Sequence, residues 1–224
     1  MKQLGKKWSL FVLITMLVMS CFSIRHVDAA SQKSKAIKAY KQFLSKSSIT
    51  WTEDYTDVPS SDCKFALVYI DKDSVPELVL KCDGVSHAEG YYRLYTYKNG
   101  KVKELAWLKD GFSYFKKKGV FRTTYGPMMG EQSFEYYKMS KSSYSYVGGW
   151  IKSWWVNGEW RENGPYEYHY YKAMNKVEDC NSAITKEISK KQFQKELKKL
   201  VKSTKKSKAK LYSNTAKNRK KHLK

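Results

Sequence analysis

Asp71, Asp73 and Glu77 form the one local pattern in this chain whose residue types and spacing suggest chemistry. Three carboxylates within seven residues can turn their oxygens toward a common centre. The backbone carbonyl of Val75 can add a fourth donor. Hard oxygen ligands of this kind suit calcium. The alternative is a plain turn in which Asp71 and Asp73 cap backbone amides. Either outcome needs a hairpin around the turn. Residues 64–70 and 77–82 supply one, as two apolar runs rich in β-branched residues.

The pattern Asp71-Lys72-Asp73-Ser74-Val75-Pro76-Glu77-Leu78 resembles a D-x-D-G-D-G-x-P-E-L hairpin of uncharacterised secreted proteins from gut-type Gram-positive bacteria. That hairpin is similar to a single calcium loop of the FG-GAP or VCBS type. Asp71, Asp73, Pro76, Glu77 and Leu78 match it. Tyr69 stands where the first Asp belongs, and Lys72 and Ser74 stand where glycines belong. A lost carboxylate and an added lysine weaken calcium affinity, so the turn reads as the remnant of a calcium loop. The resemblance continues through Tyr95–Lys101 to a basic C-terminal helix. It implies architecture and export, and no activity.

Two further constellations offer binding chemistry. Trp150, Trp154, Trp155 and Trp160 crowd a short aromatic stretch and are candidates for stacking on sugars; as strand aromatics they also suit a core. The net charge of +22 is unevenly placed. Residues 186–224 hold 16 Lys and Arg against 2 Glu. Lys198, Lys199, Lys202, Lys205, Lys206, Arg219, Lys220 and Lys221 are the candidate polyanion-binding residues. Such binding works by counterion release and is salt-sensitive. Lysines without base-reading arginine clusters give no specific nucleic-acid recognition. The expected partner is an anionic cell-wall polymer or a membrane surface.

Catalysis has little to stand on. The histidines beyond the N-terminal segment, His87, His169 and His222, sit in no nucleophile or metal motif. Calcium is the one cofactor with a candidate site.

The N-terminus carries Lys2, Lys6 and Lys7, then an apolar run over residues 8–22, then Val27-Asp28-Ala29. This predicts a signal peptide over residues 1–29 with cleavage after Ala29. The run is shorter than the roughly 20 residues of a spanning helix. Cys21, in Val18-Met19-Ser20-Cys21, offers a lipoprotein alternative. Cys63 and Cys82 bracket the hairpin and are candidates for a disulfide. Pairing Tyr69 with Leu78 would leave them diagonal rather than opposite.

The elements follow from periodicity. Residues 31–46 place Ala36, Ile37, Tyr40, Phe43 and Leu44 on one helical stripe. Asn99-Gly100 and Asn157-Gly158 are two-residue hairpin turns between alternating runs. Ser189 and Gln192 form a capping box before a helix whose stripe is Phe193, Leu197, Leu200 and Val201. Beyond Lys202 apolar residues thin out, which predicts a basic tail over 203–224, partly disordered or a short helix.

The fold class is therefore α+β: an N-terminal helix, a twisted antiparallel β-meander sheet, and a basic C-terminal helix packed on it. Residues 30–202 make one domain. The functional expectation is a secreted, non-enzymatic, surface- or wall-associated binding module. A calcium-stabilised carbohydrate-binding domain and an extracellular hydrolase are the alternatives.

Overall fold

The computed structural model describes residues 31–51, 57–86, 88–140 and 143–224. The expected signal peptide, Cys21 and His87 lie outside the described residues. Helix α1 covers residues 31–44, and its stripe of Ala36, Ile37, Tyr40 and Leu44 is buried. A ribbon of β1 (Ser48–Thr50) and β2 (Asp57–Pro59) follows.

The expected α+β class holds, and the meander divides into two sheets stacked face to face. The first is built from β3 (Cys63–Val68), β4 (Glu77–Cys82), β5 (Tyr92–Lys98) and β6 (Lys101–Leu108). The second contains β7 (Gly111–Phe115), β8 (Val120–Met128), β9 (Glu131–Ser140) and β10 (Ser143–Ser153). A small hairpin of β11 (Trp155–Val156) and β12 (Glu159–Trp160) interrupts the path. The second sheet resumes with β13 (Glu167–Ala173) and β14 (Thr185–Ile188). Asn99 and Gly100 both have positive φ, 52° and 78°, as the tight turn between β5 and β6 requires.

Strand alternation explains the layering. On β3, Phe65 and Leu67 face α1, while Ala66 and Val68 face the second sheet. Both faces of this sheet are covered, so β3 and β4 read as continuous apolar runs rather than alternating ones. The inner face of the second sheet contributes Phe112, Phe121, Tyr137 and Tyr146. Its outer face carries Phe115, Val120 and Tyr136, covered by α2 (Lys190–Val201) through Phe193 and Val201. The capping box at Ser189 and Gln192 is formed, with Gln192 N donating to Ser189 Oγ at 3.2 Å and Ser189 N to Gln192 Oε1 at 3.1 Å.

The last 22 residues, expected as a basic tail partly disordered or a short helix, contain a short helix and run along both sheets. Ser207 bridges Tyr114 on the edge of the second sheet. Ala209 and Leu211 then close the core between the sheets. Strand β15 (Tyr212–Ser213) adds to the edge of the first sheet beside β3, and α3 (Ala216–His222) follows. Leu223 is fully buried in the α1 layer. The segment is a strap across both sheets.

The hairpin register also differs from the expected one. Leu67, not Tyr69, lies opposite Leu78, which places Cys63 opposite Cys82. Cys63 O accepts from Asn214 N at 3.0 Å on one side, and Cys82 N donates to Tyr91 O at 3.0 Å on the other. Their backbones therefore point away from each other. In such a pair the Cα atoms lie about 4.5 Å apart, within disulfide range. Both are buried thiols, and burial pushes the Cys63 thiol up, so the folded, reduced pair reacts slowly. Refolding with a low-molecular-weight disulfide as oxidant is expected to link them and stabilise the fold by about 3 kcal/mol. Alkylation of the denatured chain followed by peptide mapping checks this. A linked 63–82 peptide is the expected result, and alkylated Cys63 and Cys82 the contrary one.

Candidate functional site

The strap brings α3 against α1 and joins two lysine-rich segments. Asn214 is the anchor. Its Nδ2 donates to Leu44 O at 2.9 Å and to Ser60 O at 2.8 Å. Arg219 Nη1 then donates to Asn214 Oδ1 at 2.9 Å and to Leu44 O at 3.3 Å. Residues 31–46 hold five lysines, and residues 202–224 hold ten Lys and Arg; neither segment contains an acidic residue. Lys35, Lys38 and Lys41 of α1 are exposed, as are Lys217, Lys220 and Lys221 of α3. Among the described residues none of these six is in an ion pair. His222 stacks on Tyr212 at 3.5 Å. Its pKa is lowered, by desolvation and then by Lys221, Lys210 and Lys224. Cations thus crowd this face; among the described residues the neighbouring segment carries Asp57 in β2 and Asp62 just after it.

The eight candidate polyanion residues do not form one patch. Lys198 and Lys199 sit on α2, which covers the second sheet, while α1 and α3 cover the opposite side of the first. Lys199 is also paired with Glu196 at 2.7 Å. Arg219 is turned inward as a structural donor. Lys202 caps α2, Lys205 and Lys206 lie on the strap, and Lys220 and Lys221 on α3. Sequence reasoning missed the lysines of α1. Long-range contacts such as that of Leu44 with Asn214, 170 residues apart, add them to the face.

The acidic turn does converge. Asp71, Asp73 and Glu77 each offer an oxygen within 4.8 Å of the others. Asp71 Oδ1 accepts from Asp73 N at 3.0 Å, and Asp73 Oδ1 from Val75 N at 2.8 Å. Glu77 opens β4 and is 1% exposed, with Oε2 accepting from Ile70 N at 2.9 Å. Helix α1 clamps the turn through Tyr40 Oη, which donates to Pro76 O at 3.0 Å. The β7–β8 turn braces its base: Lys117 N donates to Tyr69 O at 3.0 Å and Gly119 N to Ile70 O at 2.7 Å. Burial pushes the Glu77 carboxyl up to about 8, against the Ile70 hydrogen bond and with added repulsion from Asp71 and Asp73. Asp73 is pushed up to about 6 by burial and then by Asp71. Among the described residues no cationic side chain pairs with the three. The donor set is hard, oxygen-only and anionic, and it fits calcium.

The four tryptophans separate. Trp150 is packed into the α2 layer and stacks on Phe134 at 3.7 Å. Trp154 packs edge-on against Tyr166, and Lys152 lies over both rings. Trp155 and Trp160 are cross-strand partners, 47% and 51% exposed, meeting edge-to-face at 5.7 Å. They lean over Gly130, where a Cβ would collide with both rings. Sequence spacing grouped all four; the structure leaves Trp155 and Trp160 as the accessible pair.

Two arrangements bear on a hydrolase. His169 is bracketed on exposed strand positions, with Nδ1 3.0 Å from Glu187 and Nε2 3.5 Å from Glu167. The Glu187 hydrogen bond leads in raising its pKa. Both ring nitrogens are committed to carboxylates. Arg93, which sequence reasoning did not single out, is 3% exposed and lies between Trp51 at 4.7 Å and Trp107 at 5.7 Å. It donates through Nε to Trp51 O at 3.1 Å and through Nη1 to Glu89 O at 3.1 Å. This is a structural lock at the wall of an 840 Å³ cavity that Glu104 and Tyr144 also line.

No family model and no curated protein matches the chain. Among solved structures it is similar to a Xanthomonas Type IV secretion system related protein, with a TM-score of 0.40 and 13% identity. The match covers 63% of this chain and 64% of that one, so less than two thirds of that protein is spanned. Among the described residues no helix is long and apolar enough to cross a membrane.

Proposed function

We propose that this is an exported, non-enzymatic binding module that holds an anionic polymer of the cell wall or cell surface on a cationic face built by α1 and the C-terminal strap. The observation that carries the reading is the docking of two acid-free segments through Asn214, with exposed lysines from both on one side. Fixed lysines spaced along two helices suit a repeating anion, and each contact releases counterions. The Lys217→Gln/Lys220→Gln/Lys221→Gln variant tests it by retention on purified anionic wall polymer. At about 1 kcal/mol per lysine, affinity at low salt is expected to fall by about a hundredfold. Retention of wild type should also weaken steeply as salt rises. Retention indifferent to salt and to the triple change would refute the reading.

The acidic turn supports a second, structural role. Asp71, Asp73 and Glu77 would hold a divalent cation that stiffens the hairpin beneath α1, supplying charge neutralisation and no chemistry of its own. Its support is the buried Glu77 carboxylate beside two others. Trp155 and Trp160 remain the candidate stacking surface of a carbohydrate-binding alternative, carried by their exposure alone.

A further inference from the structure

Where the strap crosses β7, two buried donors face no acceptor. Ser113 is 3% exposed. Neither its Oγ nor the Nε of Arg122 has a hydrogen-bond partner. The two residues are direct cross-strand partners on β7 and β8, so both side chains leave the sheet on the same side. That side is the outer face, the one that carries Phe115 and Val120.

The strap adds the next row. Tyr114 N donates to Ser207 O at 2.9 Å, and Ser207 N returns a bond to Tyr114 O at 2.8 Å. This antiparallel bridge places Lys208 opposite Ser113 and Lys206 opposite Phe115. By alternation both lysines share the outer face with Ser113 and Arg122. Burial lowers the Lys206 pKa, and Arg122 and then Lys208 lower it further. Among the described residues none of the three is in an ion pair.

A buried donor without an acceptor costs about 1–3 kcal/mol. Two such donors beside two ammonium groups call for an anion rather than a neutral acceptor. The donors come from three neighbouring strands, so the acceptor must offer oxygens in several directions. A tetrahedral oxyanion does this with more oxygens than a carboxylate has. We infer that Ser113, Arg122, Lys206 and Lys208 form a binding site for a phosphate group. This rests on the polyanion reading for its ligand and adds a second contact, on the outer face of the second sheet and not on the α1–α3 face. The phosphate belongs to a wall polymer or to a lipid headgroup, and the experiment separates the two.

The test is calorimetric titration of the full chain with inorganic phosphate, poly(glycerol phosphate) and phosphatidylglycerol vesicles. Inorganic phosphate is expected to bind saturably at one site. Arg122→Gln should weaken it at least tenfold, and Ser113→Ala several-fold. Ser113→Ala should also leave the melting temperature of the phosphate-free protein unchanged or raised, because it removes a buried hydroxyl without an acceptor. The polymer or the vesicle whose affinity Arg122→Gln reduces is the source of the phosphate. The site is overturned if inorganic phosphate does not bind, if both variants bind it like wild type, or if Ser113→Ala lowers the phosphate-free melting temperature and spares binding. The Lys217/Lys220/Lys221 variant keeps the two readings apart, since it should lose polymer affinity and keep inorganic phosphate. Wild type that ignores phosphate yet binds polymer sinks the site alone. Wild type that binds phosphate but neither polymer nor vesicle sinks the polyanion reading.

Discussion

Removing residues 211–224 is expected to unfold the protein, not merely to discharge it. These residues supply the edge strand beside β3, and Leu223 in the α1 layer. They also supply the side chain that, among the described residues, satisfies Leu44 O and Ser60 O together, that of Asn214. The seven residues of α3 are too few to be stable alone, so the helix exists because it is docked. The point variant Asn214→Ala isolates the anchor. It leaves two buried carbonyls and the Arg219 guanidinium short of a partner. The cost is about 3 kcal/mol, which lowers the melting temperature of a domain this size by about 10 °C. The Lys217/Lys220/Lys221 change touches exposed side chains only and should shift it little. Thermal melts followed by circular dichroism compare the three. A truncated chain that melts within a few degrees of wild type would contradict the docked strap.

At pH 8, adding calcium to the metal-free protein is expected to raise its melting temperature, and Glu77→Gln is expected to abolish the response. The sign follows from the carboxyl's pKa, about 8 when folded against 4.5 as its ordinary value. The folded state therefore binds more protons than the unfolded state between those values. Stability falls as pH rises through that window, by on the order of 5 kcal/mol in the metal-free protein. Below pH 4.5 both states are protonated and the difference disappears. A divalent cation among the three carboxylates replaces the missing proton and offsets the loss. Glu77→Gln removes the ionisation, so it should stabilise the metal-free protein at pH 8 and flatten its pH profile. Melting curves at pH 5 and pH 8, with calcium and with chelator, decide the matter. Wild-type curves that ignore both pH and calcium would leave the turn a plain hairpin.

What the sequence made legible was local. The Asn-Gly turns and the capping box at Ser189 and Gln192 depend on neighbours within a few residues, and each formed where expected. The convergence of Asp71, Asp73 and Glu77 was readable for the same reason. The strap was not. With Ala209, Leu211, Tyr212, Ala216 and Leu223 as its apolar residues, it carries too thin a pattern to predict order. Its order comes from a bridge between Tyr114 and Ser207 and from hydrogen bonds 154 and 170 residues long. The division into two sheets was hidden too, because nothing in a run such as Phe65-Ala66-Leu67-Val68 says which layer each face meets. The cationic face was half legible: the basic C-terminus was plain, and its partner α1 was not.

In the proposed function α1 and the strap act as one binding face. Lysine acetylation footprinting with and without anionic wall polymer tests it most directly, read residue by residue by mass spectrometry. Joint protection of Lys35, Lys38 and Lys41 with Lys217, Lys220 and Lys221 is expected, lost together at high salt. Protection confined to one segment, or centred on α2 and the second sheet, would contradict it.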